Sequence, residues 1–230
     1  MKTLAIIGAG IGLTIGATVW AGSTAEQTRD VSKFNAVTLH GSIDVDVLVG
    51  EEQSVRVVAD DTVIDKLITE VSMGTLKIKL KNGYHSRIKK MHVYVTVPKL
   101  SGGAIHGSGD MDIKGPITGD FSFSVHGSGN GKIETVDASG LDLAIHGSGD
   151  LSIEGSCAEA DVSIHGSGDI SARGMKCVDV DIDVHGSGDV SIAATHGVEA
   201  AVFGSGDIDI YGKPDKVQSK VRGSGDINIH

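Results

Sequence analysis

The sequence predicts an all-β fold: a single-domain, right-handed parallel β-helix with coils of about 20 residues. Three observations carry that prediction. The first is a pentapeptide, His106-Gly107-Ser108-Gly109-Asp110, that returns with its first glycine at Gly127, Gly147, Gly166, Gly186, Gly204 and Gly223. The steps are 20, 20, 19, 20, 18 and 19 residues, the signature of a solenoid in which each repeat is one coil. The second is strict alternation of apolar residues around the motif. Ile105, Val125, Ile145, Ile164, Val184, Val202 and Val221 precede the first glycine by two, and Ile113, Ile133, Ile153, Ala172, Ile192, Ile210 and Ile229 follow the Asp or Asn by three. Period-two patterning rich in β-branched residues reads as strands with one buried face. The third is composition: 33 glycines against 3 prolines and a formal charge of −10, as expected of an acidic, loop-poor β protein.

Within one coil the inward set runs Leu141, Leu143, Ile145, Gly147, Gly149, Leu151, Ile153, which directs both motif glycines inward. A glycine in such a register marks a bend with no room for a side chain, or a backbone conformation other residues resist. Each coil therefore turns there. Stacked coils repeat every ~4.8 Å, the parallel strand spacing, and bury ladders of Ile and Val. The right hand follows from the bias of parallel crossovers.

Residues 1–25 read as a signal peptide, with Lys2, an apolar run from Leu4 to Val19, and small-residue cleavage points after Ala21 or Ala25, of which Ala25 is favoured. The rival is an uncleaved anchor, since the run approaches the shortest spanning lengths. The remainder, 26–230, forms the β-helix, with irregular N-terminal coils over 31–100 and regular repeats over 101–230. His40-Gly41-Ser42-Ile43-Asp44 is a degenerate copy of the motif, so coiling begins near Val31. Val55–Val58, Leu76–Leu80 and His92–Val97 read as strands, whereas Val63, Ile64, Leu67, Ile68 and Val71 also fit helical spacing. Irregular coils there would cover an open end of the solenoid.

Export permits disulfides. Cys157 and Cys177 lie 20 residues apart, one coil, so they stack within bridging distance; the alternative is two buried thiols.

Asp60-Asp61-Thr62-Val63-Ile64-Asp65-Lys66 leading to Gly74-Thr75-Leu76-Lys77-Ile78, then Val93-Tyr94-Val95-Thr96-Val97-Pro98-Lys99-Leu100, then serial Gly-Ser-Gly-Asp repeats, resembles the auto-transporter adhesin head GIN domain family over roughly residues 33 to 230. The resemblance implies a right-handed parallel β-helix and an exported or cell-surface bacterial protein. It brings no catalytic residues.

Chemistry must then sit on outward ladders. His146, Ser148 and Asp150 share a face, as do His165, Ser167 and Asp169. Alternate residues on a strand are rooted nearly 7 Å apart, so this composition is not a hydrolytic triad. A metal is the more serious candidate. His106, His126, His146, His165 and His185 form a file of imidazoles suited to Zn²⁺ or Cu²⁺, and Asp110, Asp150, Asp169, Asp189, Asp207 and Asp226, with Asn130 among them, form a file suited to Ca²⁺. Turn support by carboxylates bonded to backbone N–H groups explains the Asp file without an ion, and the His file breaks at Phe203 and Arg222. No metal site and no cofactor is assigned.

Polysaccharide-cleaving β-helices wall their clefts with long loops. Here the coils keep their length from Gly107 to Gly223, and aromatic content is 3%. Nucleic acid is excluded as a partner because the 20 Lys and Arg form no dense stripe beyond Arg87-Ile88-Lys89-Lys90. The sequence therefore reads as an exported, non-enzymatic β-helix acting as an adhesin or cell-envelope interaction surface toward a protein or glycan. A cation-binding surface protein is the alternative, and a polysaccharide-acting enzyme stands behind both. The mature chain has no membrane span, self-association into a homo-oligomer stays open, and periplasm, cell surface and extracellular medium are equally compatible. Ser23 stands where a lipid-bearing Cys would anchor the chain.

Overall fold

A computed structural model describes residues 24–81 and 91–230. The expected signal peptide, as far as residue 23, and the basic run at 87–90 lie outside the described residues. The chain forms β1 (Thr24–Thr28), β2 (Ala36–Gly41), β3 (Asp44–Val49), β4 (Ser54–Asp60), β5 (Leu67–Ser72), β6 (Thr75–Leu80), β7 (Met91–Val97), β8 (Gly102–Gly107) and β9 (Met111–Lys114). It continues with β10 (Ile117–Gly127), β11 (Gly131–Gly147), β12 (Leu151–Gly166), β13 (Ile170–Gly186), β14 (Val190–Gly204), β15 (Ile208–Tyr211), β16 (Lys216–Gly223) and β17 (Ile227–Ile229). Together they make a β-solenoid of about six turns with coils of about 20 residues.

From β8 onward every pairing is parallel and, apart from local register shifts such as those at Ile133/Val136 and Ala172/Lys176, residues sit on their counterparts one repeat away. Ile145 lies on Val125 and under Ile164, and Gly147 lies between Gly127 and Gly166. The inward ladders are buried up to Val202 and Ile210, so one continuous apolar interior runs up the stack to the last coil. Apolar area removed from water at about 25 cal/mol per Å² is the main source of stability in such a column.

The motif glycines turn out to be required by the neighbouring coil. Gly147 adopts φ +143°, and a Cβ placed on it would overlap the carbonyl oxygen of Gly127 one coil below. A Cβ on Gly149 would overlap the Gly129 carbonyl in the same way. The coils therefore touch backbone to backbone at the turn, and only hydrogen fits between them.

The N-terminal region departs from chain order. β2 pairs in parallel with β6 on one edge and β8 on the other, and β3 likewise lies between β7 and β9. The first coil in sequence is thus an inner coil in space. After β3 the chain runs outward, and β4 pairs antiparallel to β7, β1 antiparallel to β4, and β5 antiparallel to β6. These antiparallel strands end the parallel stack. The strands expected at 55–58, 76–80 and 92–97 fall inside β4, β6 and β7. Of the stretch with helical spacing, only Ile64–Lys66 forms a 3₁₀ turn, and Leu67 to Val71 belong to β5. A cut after Ala21 would leave β1 whole, whereas a cut after Ala25 would remove two of its five residues.

Cys157 and Cys177 are in register on β12 and β13 and form a disulfide, with Cα atoms 4.4 Å apart. Both are buried, so the bridge ties two coils through the core.

Two outcomes follow from these contacts. Gly166→Ala places a Cβ against the Gly147 carbonyl at a φ of +144°, and chemical denaturation should show a loss of roughly 2–4 kcal/mol. Ser167→Ala one residue on, where the side chain is exposed, should change stability by less than about 0.5 kcal/mol. Reducing the Cys157–Cys177 bridge, which closes a 20-residue separation, should lower stability by about 3 kcal/mol and shift the thermal midpoint downward.

Candidate interaction face: histidine, aspartate and acidic files

Because the coils stack in register, every outward position becomes a file of near-identical side chains. The histidine file is longer than the motif count suggests. Pairing of β2 with β8 places His40 on His106, and the stack continues through His126, His146, His165 and His185 to Phe203. Ring centroids are 4.6–5.0 Å apart and neighbouring planes differ by at most 12°. Arg222 closes the file, its guanidinium 5.8 Å from the Phe203 centroid. Phe203 and Arg222 thus continue the stack at the positions where the histidine pattern breaks.

This geometry spends the ring faces on each other and leaves the nitrogens side by side. A tetrahedral zinc with bonds of about 2.0–2.1 Å needs ligand nitrogens that converge to roughly 3.3 Å. Parallel rings nearly 5 Å apart do not converge, and among the described residues no group of three His, Cys, Asp or Glu side chains is placed to hold a metal ion. Burial holds the His40, His106 and His126 pKa values below the ordinary 6.5. The Lys77 and Lys79 charges add to the effect at His40, His40 adds at His106, and His106 at His126. The lower part of the file favours neutral, stacked imidazole.

The aspartate file has a different occupation. Asp110 N–H donates to Asp44 Oδ1, Asn130 N–H to Asp110 Oδ1, and Asp150 N–H to Asn130 Oδ1. The chain of bonds continues through Asp169, Asp189 and Asp207 to Asp226, at 2.7–3.0 Å. Each carboxylate holds the backbone of the next coil, which offsets the repulsion expected of carboxylates stacked at this spacing. Asn130 serves as well as Asp because the bond needs an oxygen, not a charge. In the His146, Ser148, Asp150 set the three side chains do not join: His146 lies between two other rings, and Asp150 accepts from the Asp169 backbone.

A third file lies outside the Gly-Ser-Gly-Asp motif. Asp142, Asp161, Asp181 and Glu199 are in register on β11 to β14, on the same outward side as the histidines. The sequence does hold its signal: each stands five residues before a motif glycine. Asp161, Asp181 and Glu199, with Glu159, Asp179, His196 and Lys216, border an open groove of about 370 Å³. His196 Nδ1 lies 2.7 Å from Asp179 Oδ1. Burial pushes the Asp181 carboxyl above its ordinary value, and the charges of Asp183, Glu199 and Asp161 push it the same way. This file, unlike the Asp ladder at the turn, concentrates negative charge on a solvent-facing strip.

The three files make separable predictions. Asp169→Ala, which strips the acceptor from the Asp189 N–H, should cost about 1–2 kcal/mol in urea unfolding, while Asp169→Asn should stay within about 0.5 kcal/mol of the parent. For His40, His106 and His126, folded values lie below unfolded ones, so their contribution is complete above pH 6.5 and is lost as pH falls through the folded values. The thermal midpoint should therefore drop between about pH 7 and pH 5. His106→Phe combined with His126→Phe keeps the stack and should flatten that drop.

Other proteins share this architecture. Solved structures with the same fold include a putative adhesin from Bacteroides fragilis NCTC 9343, at 24% identity and a TM-score of 0.85, covering 90% of this chain and 97% of the other. A putative adhesin from Parabacteroides distasonis ATCC 8503 aligns at 25% identity and a TM-score of 0.75 over 91% and 98%. A putative lipid binding protein from the same strain aligns at 24% identity and 0.75 over 91% and 97%. No curated protein matches the chain significantly. The family described as "Putative auto-transporter adhesin, head GIN domain" matches residues 33–214, most of the solenoid, and the chain belongs to that family.

Proposed function

We propose that the protein is exported and works, without catalysis, as an adhesion or cell-envelope interaction surface whose partner is a protein or a glycan. The observation that carries this reading is the parallel stacking of every motif turn on the next from Gly107 to Gly223, with only local register shifts between turns. No inserted loop rises between the described coils to wall a cleft, so the surface on offer is flat and periodic, with repeated carboxylate and imidazole groups about one coil apart. Such a surface suits many weak, repeated contacts rather than one tuned site. The family description and the two adhesin-named structures support the same reading. Among the described residues no helix is long and apolar enough to cross a membrane.

The cation-binding alternative has less support, since the Asp oxygens are engaged by backbone and the rings by one another. One neighbour is named a putative lipid binding protein, but among the described residues the inward positions are taken up by packed apolar side chains, which favours the adhesion reading.

Fluorescently labelled full-length mature chain, incubated with intact bacteria and with arrays of glycans and extracellular proteins, should bind at least one surface saturably. Asp161→Ala with Asp181→Ala should weaken that binding at least threefold without lowering the thermal midpoint. Release of reducing ends from any glycan on the array would overturn the reading. In a producing bacterium, mass spectrometry of the exported fraction should find a mature N-terminus at Gly22 or Glu26; recovery only of chain beginning at Met1 in the cytosol would sink the export proposal.

A further inference from the structure

The parallel stack ends differently at its two ends. At the N-terminal end the antiparallel strands β1, β4 and β5 lie outside the parallel coils. At the other end β16 pairs with β14 and β17 with β15, and among the described residues no strand lies on their outer edges. The inward positions of this last coil are uncovered: Val217 is 37% exposed, Val221 42% and Ile229 53%.

The hydrogen-bond pattern between coils is itself incomplete there. In each junction the Ser N–H donates to the first-glycine carbonyl of the coil below, as Ser205 does to Gly186 and Ser224 to Gly204, both at 2.8 Å. The Asp N–H donates to the Asp Oδ1 below, as Asp226 does to Asp207. The residue after Asp donates upward to the next Asp carbonyl, as Ile208 does to Asp226. By the same repeat, Gly223 O and Asp226 Oδ1 are set to accept, and the Ile227 N–H to donate, toward a further coil. Whatever takes that place needs glycine at both turn positions, because any Cβ would meet the Gly223 and Gly225 carbonyls as it would at every junction below.

Charge narrows the occupant further. The terminal strand carries Lys216, Lys220 and Arg222 on a chain of net charge −10. Two copies meeting through this edge by antiparallel pairing would set cations against cations. Head-to-tail stacking would bring the edge to antiparallel cap strands instead of a parallel coil. We propose that the C-terminal coil is a docking edge for an extended acidic segment of a different protein, bearing the pattern apolar-x-Gly-Ser-Gly-Asp-apolar and added as one more parallel coil. Strand addition of this kind takes affinity from main-chain bonds and specificity from alternate side chains. A segment like Val178–Ala194 illustrates the fit: the existing register would bring its Asp179 beside Lys216, its Asp183 beside Lys220 and its His185 beside Arg222.

The probe is a labelled synthetic peptide of residues 178–194, titrated with the full chain and followed by fluorescence anisotropy. Saturable one-to-one binding is expected, weakened at least tenfold by Gly186→Ala with Gly188→Ala in the peptide. Lys220→Glu in the protein, at an exposed position, should weaken it at least threefold with an unchanged thermal midpoint. Equal binding of the alanine peptide, no binding at millimolar concentration, or a dimer of the chain that excludes the peptide would each overturn the proposal; the adhesion assay on the lateral faces is unaffected by any of these results.

Discussion

Every feature of this molecule answers to one constraint, the separation of about 4.8 Å that hydrogen bonding imposes between parallel strands. A solenoid repeats that distance from coil to coil, so any residue type that recurs once per coil meets its own kind at that spacing. The chain must therefore resolve the same contact many times. Apolar residues resolve it by packing: Ile145 between Val125 and Ile164 gains dispersion contacts on both sides and loses its water. Glycine resolves it by having no Cβ where turn backbones close on each other.

Polar residues resolve it in three ways, with different consequences for the surface. The turn aspartates convert a potential column of repelling charges into a column of backbone acceptors, so their recurrence is structural. The histidines stack ring on ring, and where burial holds the imidazole pKa down, at His40, His106 and His126, the stack links stability to pH. The file from Asp142 to Glu199 has neither device. Its carboxylates stand beside one another, and burial, with the charges of Asp183, Glu199 and Asp161 after it, raises the Asp181 pKa. Groups arranged against their own stability are candidates for contact with something else, and it is this file that the adhesion reading uses.

The two ends show what happens when the constraint is lifted. Parallel addition stops at the N-terminal end because the chain changes direction: β4 and β5 run antiparallel to the coils they cover. At the C-terminal end no such change of direction is seen among the described residues, and the last coil keeps the donors, acceptors and apolar positions of an interior one.

The period of the glycines, the alternation around them and the one-coil spacing of Cys157 and Cys177 determined the solenoid, its outward and inward faces and its disulfide, because a one-dimensional repeat converts separation along the chain directly into separation in space. The acidic file was equally legible in principle, being tied to the same glycines at a fixed offset, but it lacks the uniform residue identity that makes a motif visible. Tertiary structure alone decided the rest. His40 joins the histidine file across 65 intervening residues, and the β2–β3 coil lies inside the coil formed by β6 and β7, because strand pairing at the N-terminal end follows edge availability rather than chain order. Whether a recurring Asp holds an ion or a backbone N–H was likewise a question of where the next coil sits, which spacing alone does not specify.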